Sequence, residues 1–142
     1  MKHLITRIAA PALLVGSLLL LHPAAAGATA STTQGFSSTY GFDSTLRGKT
    51  LFHVLGDGNV TVVLTGTSGP ARSVDVRIER QVCTATSCAW KGHFVGTTCT
   101  RTLAPKVTAT CTFKAGADLH DHRLVLAKKA DGVVIRGTVK VS

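Results

Sequence analysis

Residues 73–83, SVDVRIERQVC, decide the fold class. Val74, Val76, Ile78 and Val82 fall in step two along it, with Asp75, Arg77, Glu79 and Gln81 between them. A strand turns successive side chains to opposite faces, so this order makes one apolar and one polar face; a helix would scatter both sets around its axis. Residues 106–114, KVTATCTFK, repeat the pattern more cleanly, with Val107, Ala109, Cys111 and Phe113 on one side and Thr108, Thr110, Thr112 and Lys114 on the other.

The same alternation extends outward from these two runs. Lys49–Leu55 and Val60–Thr65 flank Gly56-Asp57-Gly58-Asn59, a cluster of turn formers, and are expected to form a hairpin. Cys88–Val95, Cys99–Leu103, Arg123–Lys128 and Val133–Val141 read as further strands, the last two separated by a turn at Lys129–Gly132. No stretch of helical periodicity competes. About eight short strands, with turn signals every 8–12 residues, predict an all-β chain, an immunoglobulin-like sandwich of seven to eight antiparallel strands.

Residues 1–30 stand apart. A basic start (Lys2, Arg7), an apolar run from Ile8 to Leu21, Pro23 and a string of small residues have the anatomy of a secretory signal peptide, with cleavage after Ala26 or Ala30. The apolar run is too short for a membrane span, which needs roughly 20 residues. Residues 31–45, rich in Ser, Thr and Gly, read as a flexible leader with a short edge strand around Phe36–Phe42, and residues 46–142 as a single domain.

All four cysteines lie in that domain. An even count in a small exported chain implies two disulfides, although four thiolates could also hold zinc. If Cys99–Leu103 and Val107–Phe113 form a hairpin turning at Ala104-Pro105-Lys106, Cys99 and Cys111 sit directly opposite each other, about 4.5 Å apart at their Cα atoms, close enough to bridge. Cys83–Cys88 then remains, closing the loop Thr84-Ala85-Thr86-Ser87 across a second hairpin. In that hairpin Gln81 faces Trp90, Ile78 faces His93, Val76 faces Val95 and Arg77 faces Phe94. Trp90 would lie on the polar face beside Arg77 as a binding patch, or a bulge near Gly92 or Gly96 would turn it into the core. The second outcome is the expected one, because a lone Trp in a small domain is usually well buried.

Sixteen Lys and Arg against seven Asp and Glu make the chain basic. Without Lys2 and Arg7 the balance is fourteen against seven, a net +7. Secreted basic domains meet anionic envelope polymers and other polyanions. The basic residues are dispersed, so no nucleic-acid arm is expected.

His120-Asp121-His122 is the one triplet suggestive of metal chemistry. In an extended segment both imidazoles point the same way, with Asp118, His53 or His93 as a third ligand for copper, nickel or zinc. The competing reading is a pair of solvated histidines in a loop spanning Gly116–Asp121. Catalytic material is thin. Glu79 is the single glutamate and could serve a ribonuclease as base, with a histidine as acid and Arg77 as phosphate clamp, but in a regular strand between Arg77 and Arg80 an ion pair explains it. No nucleophile elbow, zinc-protease motif or phosphate loop is present, and no cofactor is implied. Asn59-Val60-Thr61 is a glycosylation sequon at a turn.

Cys83–Cys88 and Cys88-Ala89-Trp90 resemble fragments of the neocarzinostatin-type chromophore carriers, small secreted domains with two short disulfide loops. The likeness covers under ten residues, the short loop comes first here and second there, and the strong positive charge differs. It implies a two-disulfide immunoglobulin-like frame and transfers no site. The cysteine spacing of secreted subtilisin-type inhibitors does not match. The sequence therefore predicts a secreted, non-enzymatic binding or structural module acting at the cell envelope or on an extracellular polymer. Thr84, Ala85, Thr86, Ser87, Trp90 and Arg77 are its candidate contacts. The alternatives are an inhibitor or toxin-like effector presenting the Cys83–Cys88 loop to an extracellular protein, and a metal-binding protein using His120 and His122.

Overall fold

The computed structural model describes residues 35–56, 58–92 and 97–142. The signal peptide, Asp57 and the partners expected of Ile78, Val76 and Arg77 at residues 93–95 lie outside the described residues. Among the described residues nine strands form: β1 (Phe36–Phe42), β2 (Thr45–Val54), β3 (Gly58–Ser68), β4 (Arg72–Cys83), β5 (Cys88–Gly92), β6 (Cys99–Leu103), β7 (Thr108–Ala115), β8 (Asp118–Ala127) and β9 (Ile135–Val141). They make two antiparallel sheets. One has the order β1-β9-β3-β7; the other runs β2-β8-β4-β5, with β6 also paired to β4. The long strand β4 pairs β8 along one edge and is shared along the other, β6 taking residues 72–76 and β5 residues 79–83.

The alternation read from the sequence places the core. Val74, Val76 and Ile78 of β4, Cys111 and Phe113 of β7, and Ile135, Val139 and Val141 of β9 are buried between the sheets. Each fully buried aliphatic or aromatic side chain stabilises the fold by roughly 1.5–3 kcal/mol relative to exposure. The outward face of the four-stranded sheet carries polar β-formers instead. Thr39, Thr138, Thr65 and Thr108 form one rank across all four strands. Thr branches at Cβ, which suits a pleated surface, and its hydroxyl faces water.

Several expectations are corrected. Among the described residues the strand count is nine, because the edge strand expected around Phe36–Phe42 forms and pairs along its whole length with β9; Tyr40 and Phe42 are core residues, so this stretch is part of the domain and not of a flexible leader. Strands expected to pair as neighbours do not. β2 pairs β8 while β3 pairs β7 and β9, so the turn after Leu55 crosses between sheets. The Lys129–Gly132 turn likewise leads from β8 in one sheet to β9 in the other. β6 and β7 also lie in opposite sheets, with Val76 opposite Cys99 and Val62 opposite Cys111. Cys99 and Cys111 are bonded as expected, but across the sandwich, with Cα atoms 5.9 Å apart. The physical reason is common to all three. Two apolar strand faces cover each other only when they belong to facing sheets, and pairing side by side would leave both exposed. The turn between β6 and β7 is clasped to β3. Lys106 N–H donates to the Gly66 carbonyl (2.8 Å) and Gly66 N–H to the Val107 carbonyl (2.9 Å). Lys106 takes a left-handed conformation (φ 65°), and Gly66 has no Cβ because one would lie 2.2 Å from the Ala104 oxygen.

Asp118–Asp121 belong to β8, so the loop expected over Gly116–Asp121 is reduced to its first residues. Among the described residues no helix is long and apolar enough to cross a membrane.

Candidate functional site

The β4–β5 hairpin has the register that the sequence predicts. Cys83 faces Cys88 and Gln81 faces Trp90. The Cys83–Cys88 disulfide closes its end, and every residue from Cys83 to Ala89 is exposed. The loop is tied internally as well. Thr84 N–H donates to the Ser87 carbonyl (2.7 Å), the Thr84 hydroxyl donates to the same oxygen (3.1 Å), and Ser87 N–H donates back to that hydroxyl (3.2 Å). Thr84 and Ser87 thus form the base, and Ala85 and Thr86 the tip, of a loop with little conformational freedom left to lose on binding.

At the foot of this hairpin Trp90 is partly exposed on the outward face. Through Gly92 the register with β4 is regular and no bulge turns Trp90 into the core, since pairing with Gln81 keeps the indole on the outward face; Gly96, the other expected bulge position, lies outside the described residues. Its ring is held by a residue the sequence did not single out. The Arg123 guanidinium lies 4.2 Å from the ring centroid and donates two hydrogen bonds, 3.0 and 2.7 Å, to Glu79 Oε2. Arg77 Nε lies 3.4 Å from the other oxygen of Glu79. Glu79 is opposite Arg123 in the sheet, so cross-strand pairing builds the group: aromatic, guanidinium, carboxylate, guanidinium. Arg123 and Glu79 are largely buried, whereas the Arg77 side chain is 41 % exposed. Arg77 and Trp90 therefore face solvent, and Arg123 and Glu79 position them. Among the described residues no histidine contacts Glu79.

His120 and His122 both lie against Asp118, as residues two apart on one face of a strand, but in unlike surroundings. His122 is fully buried and stacks on Phe52 at 5.7 Å, while the His120 side chain is 61 % exposed. Asp118 lies between them, 2.5 Å from His120 Nδ1 and 3.6 Å from His122 Nε2. It also accepts from Arg80 at 3.0 Å. Burial pushes the Asp118 carboxyl up, but hydrogen bonds from the His120 backbone and ring, the Arg80 guanidinium and the charge of His122 together hold it well below the usual carboxylate range. Burial pushes His122 down, opposed by Asp118. The other proposed third ligand, His53, pairs with Asp121 at 3.1 Å; His93 lies outside the described residues. Among the described residues no group of three or more His, Cys, Asp or Glu is placed to hold a metal ion.

A second turn is fastened in the same manner. Asp131 accepts from Lys128 Nζ, from Arg72 Nε at 2.6 Å and from Val133 N–H at 3.1 Å. Lys128 and Arg72 hold its carboxyl below the ordinary range. Comparisons with protein-family models, with curated proteins and with solved structures return no match.

Proposed function

We propose that the chain is a secreted, non-enzymatic binding module with an immunoglobulin-like frame, acting on an anionic polymer of the cell envelope or extracellular space. The disulfide-closed, internally hydrogen-bonded tip of the β4–β5 hairpin, with Trp90 and Arg77 at its foot, carries this reading. A loop that has already lost its freedom binds with a smaller entropic penalty, and Trp and Arg are enriched among contact hot spots. The net positive charge favours approach to a polyanion. The two disulfides fit an oxidising compartment. Glu79, the carboxylate that the sequence offered as a catalytic base, is instead ion-paired on both oxygens, with Arg123 and Arg77.

The test is retention of the oxidised protein on teichoic-acid and heparin-like matrices across a salt gradient. The parent should elute later than Trp90→Ala/Arg77→Ser, and its retention should fall steeply with salt. Equal elution of parent and variant would sink this assignment. The tight Thr84–Ser87 turn specifically favours a second reading, presentation of the loop to an extracellular protein. In that case Ala85→Asp/Thr86→Asp abolishes partner capture with an unchanged melting temperature, and salt has little effect.

A further inference from the structure

At the opposite edge of the same sheet lies a feature that the polymer-binding reading does not use. The Cys99–Cys111 disulfide closes the sandwich on the side of β6 and β7, whereas β1 and β2 form the other side. There β2 loses register with β8. Arg47 faces Val125 and Leu51 faces Arg123, so four residues of β2 span two of β8. Gly48, Lys49 and Thr50 make up the bulge. Gly48 permits it, since a Cβ there would come within 3.1 Å of the Leu124 carbonyl oxygen. Bulges bend a strand and re-aim its side chains, and they concentrate beside binding sites.

The bulge opens a cleft of about 230 Å³ between the two edges. Phe36, Tyr40, Leu46, Leu124, Leu126 and Val139 supply its apolar wall, reaching the core, and Arg47 and Lys49 line its rim. Among the described residues neither Arg47 nor Lys49 forms an ion pair, as holds for several other surface cations of the domain. An apolar interior with two uncompensated positive charges at the mouth is complementary to a molecule with a hydrocarbon body and one anionic head. An apolar cavity of about 150 Å³ takes benzene, so this one has room for about nine or ten heavy atoms. We propose that the β1–β2 cleft binds a small amphiphilic organic anion, an eight-carbon carboxylate or a phenylalkyl carboxylate. The body would lie against Leu46, Leu124 and Val139, and the head between Arg47 and Lys49.

The experiment is an NMR titration of the oxidised protein at pH 7 with octanoate, octanol and octylammonium. Octanoate should shift the amides of residues 36–40, 46–50 and 124–126 saturably, with Kd on the order of a millimolar or below. Octylammonium should not saturate. Arg47→Ser/Lys49→Ser, two changes at exposed positions, should weaken octanoate about tenfold and leave octanol unchanged. Leu46→Trp should fill the cleft and abolish both. Lack of saturation by octanoate, shifts centred elsewhere, equal binding of octylammonium, or an unaffected double-serine variant would overturn the proposal. The bulge would then serve only to blunt an edge strand. The hairpin tip lies on the other edge of the sheet, so this outcome leaves the polymer-binding reading to its own test.

Discussion

Removing the two disulfides one at a time should have unequal consequences, because one joins the sheets and the other only finishes a hairpin. Cys99–Cys111 spans a sequence separation of 12 and Cys83–Cys88 a separation of 5. In the chain-entropy treatment these closures restrict the unfolded chain by about 2.8 and about 2.1 kcal/mol. The difference widens in the folded state. Cys111 is fully buried beside Phe113, so Cys99→Ala/Cys111→Ala also leaves a void and loses apolar contacts, worth about a further kcal/mol. Cys83 and Cys88 are exposed, and the Thr84–Ser87 hydrogen bonds persist without them. The expected cost is therefore about 3–5 kcal/mol for the inter-sheet bridge and at most about 2 kcal/mol for the hairpin bridge. For a domain of about a hundred residues this corresponds to falls in melting temperature of about 12–20 °C and at most about 8 °C. Urea unfolding followed by far-ultraviolet circular dichroism measures both without relying on Trp90, which sits beside one of the bridges. Hydrogen exchange adds a local check: loss of Cys83–Cys88 should unprotect β5 amides while those of β3 and β8 keep their protection. A Cys83→Ala/Cys88→Ala variant as unstable as its counterpart would refute the assignment of Cys99–Cys111 as the bond that holds the sheets together.

Four further outcomes follow from side chains placed above. His122 is held below its ordinary pKa of 6.5 by burial, so the unfolded chain takes up the proton first; stability is full above that pH and lost as pH falls from about 6.5 toward the folded value. His122→Phe should flatten the melting temperature between pH 7 and 5, and a variant with the parent's slope would contradict this. Asp118, held below its usual range, contributes above about pH 3.8 and is lost as pH falls further, so the acid limb should survive in His122→Phe and shrink in Asp118→Asn. Arg123→Met removes the guanidinium from the face of the chain's single tryptophan and two hydrogen bonds from Glu79; it should cost about 1–2 kcal/mol and shift the Trp90 emission, and an unchanged spectrum would argue against the stack. Gly137→Ala would place a Cβ 2.2 Å from the Thr65 carbonyl oxygen and 2.3 Å from the Tyr40 hydroxyl oxygen, so it should destabilise by about 1–3 kcal/mol; a change below about 0.5 kcal/mol would show that β1 and β3 yield there.

Much of the candidate site was legible in the order of residues. The β4–β5 register follows from two cysteines five apart at the end of alternating runs, and it places Trp90 opposite Gln81 without further information. The expectation that Trp90 would be buried failed because it rested on the average behaviour of tryptophan rather than on its position in that register. Arg123 was invisible for a different reason. It lies 44 residues from Glu79, and only the pairing of β4 with β8 makes them neighbours. The cleft beside Arg47 and Lys49 was hidden likewise, since a bulge exists only relative to a partner strand.

The amino-acid sequence by itself determined most of the strands, the inward side of β4, β7 from Ala109 onward and β9, and the closed tip at Thr84–Ser87. These depend on alternation, turn residues and short separations along the chain. The tertiary structure alone decided which strands pair. Backbone hydrogen bonds between strands are the same whatever the side chains, so alternation leaves the choice of neighbour open. The choice falls to the arrangement in which all apolar faces cover one another, and that sends β2, β6 and β8 to one sheet and β3, β7 and β9 to the other. Cys99 and Cys111 show the division most clearly: either topology brings them within bonding range, and only the packed sandwich makes their bond a tie between sheets.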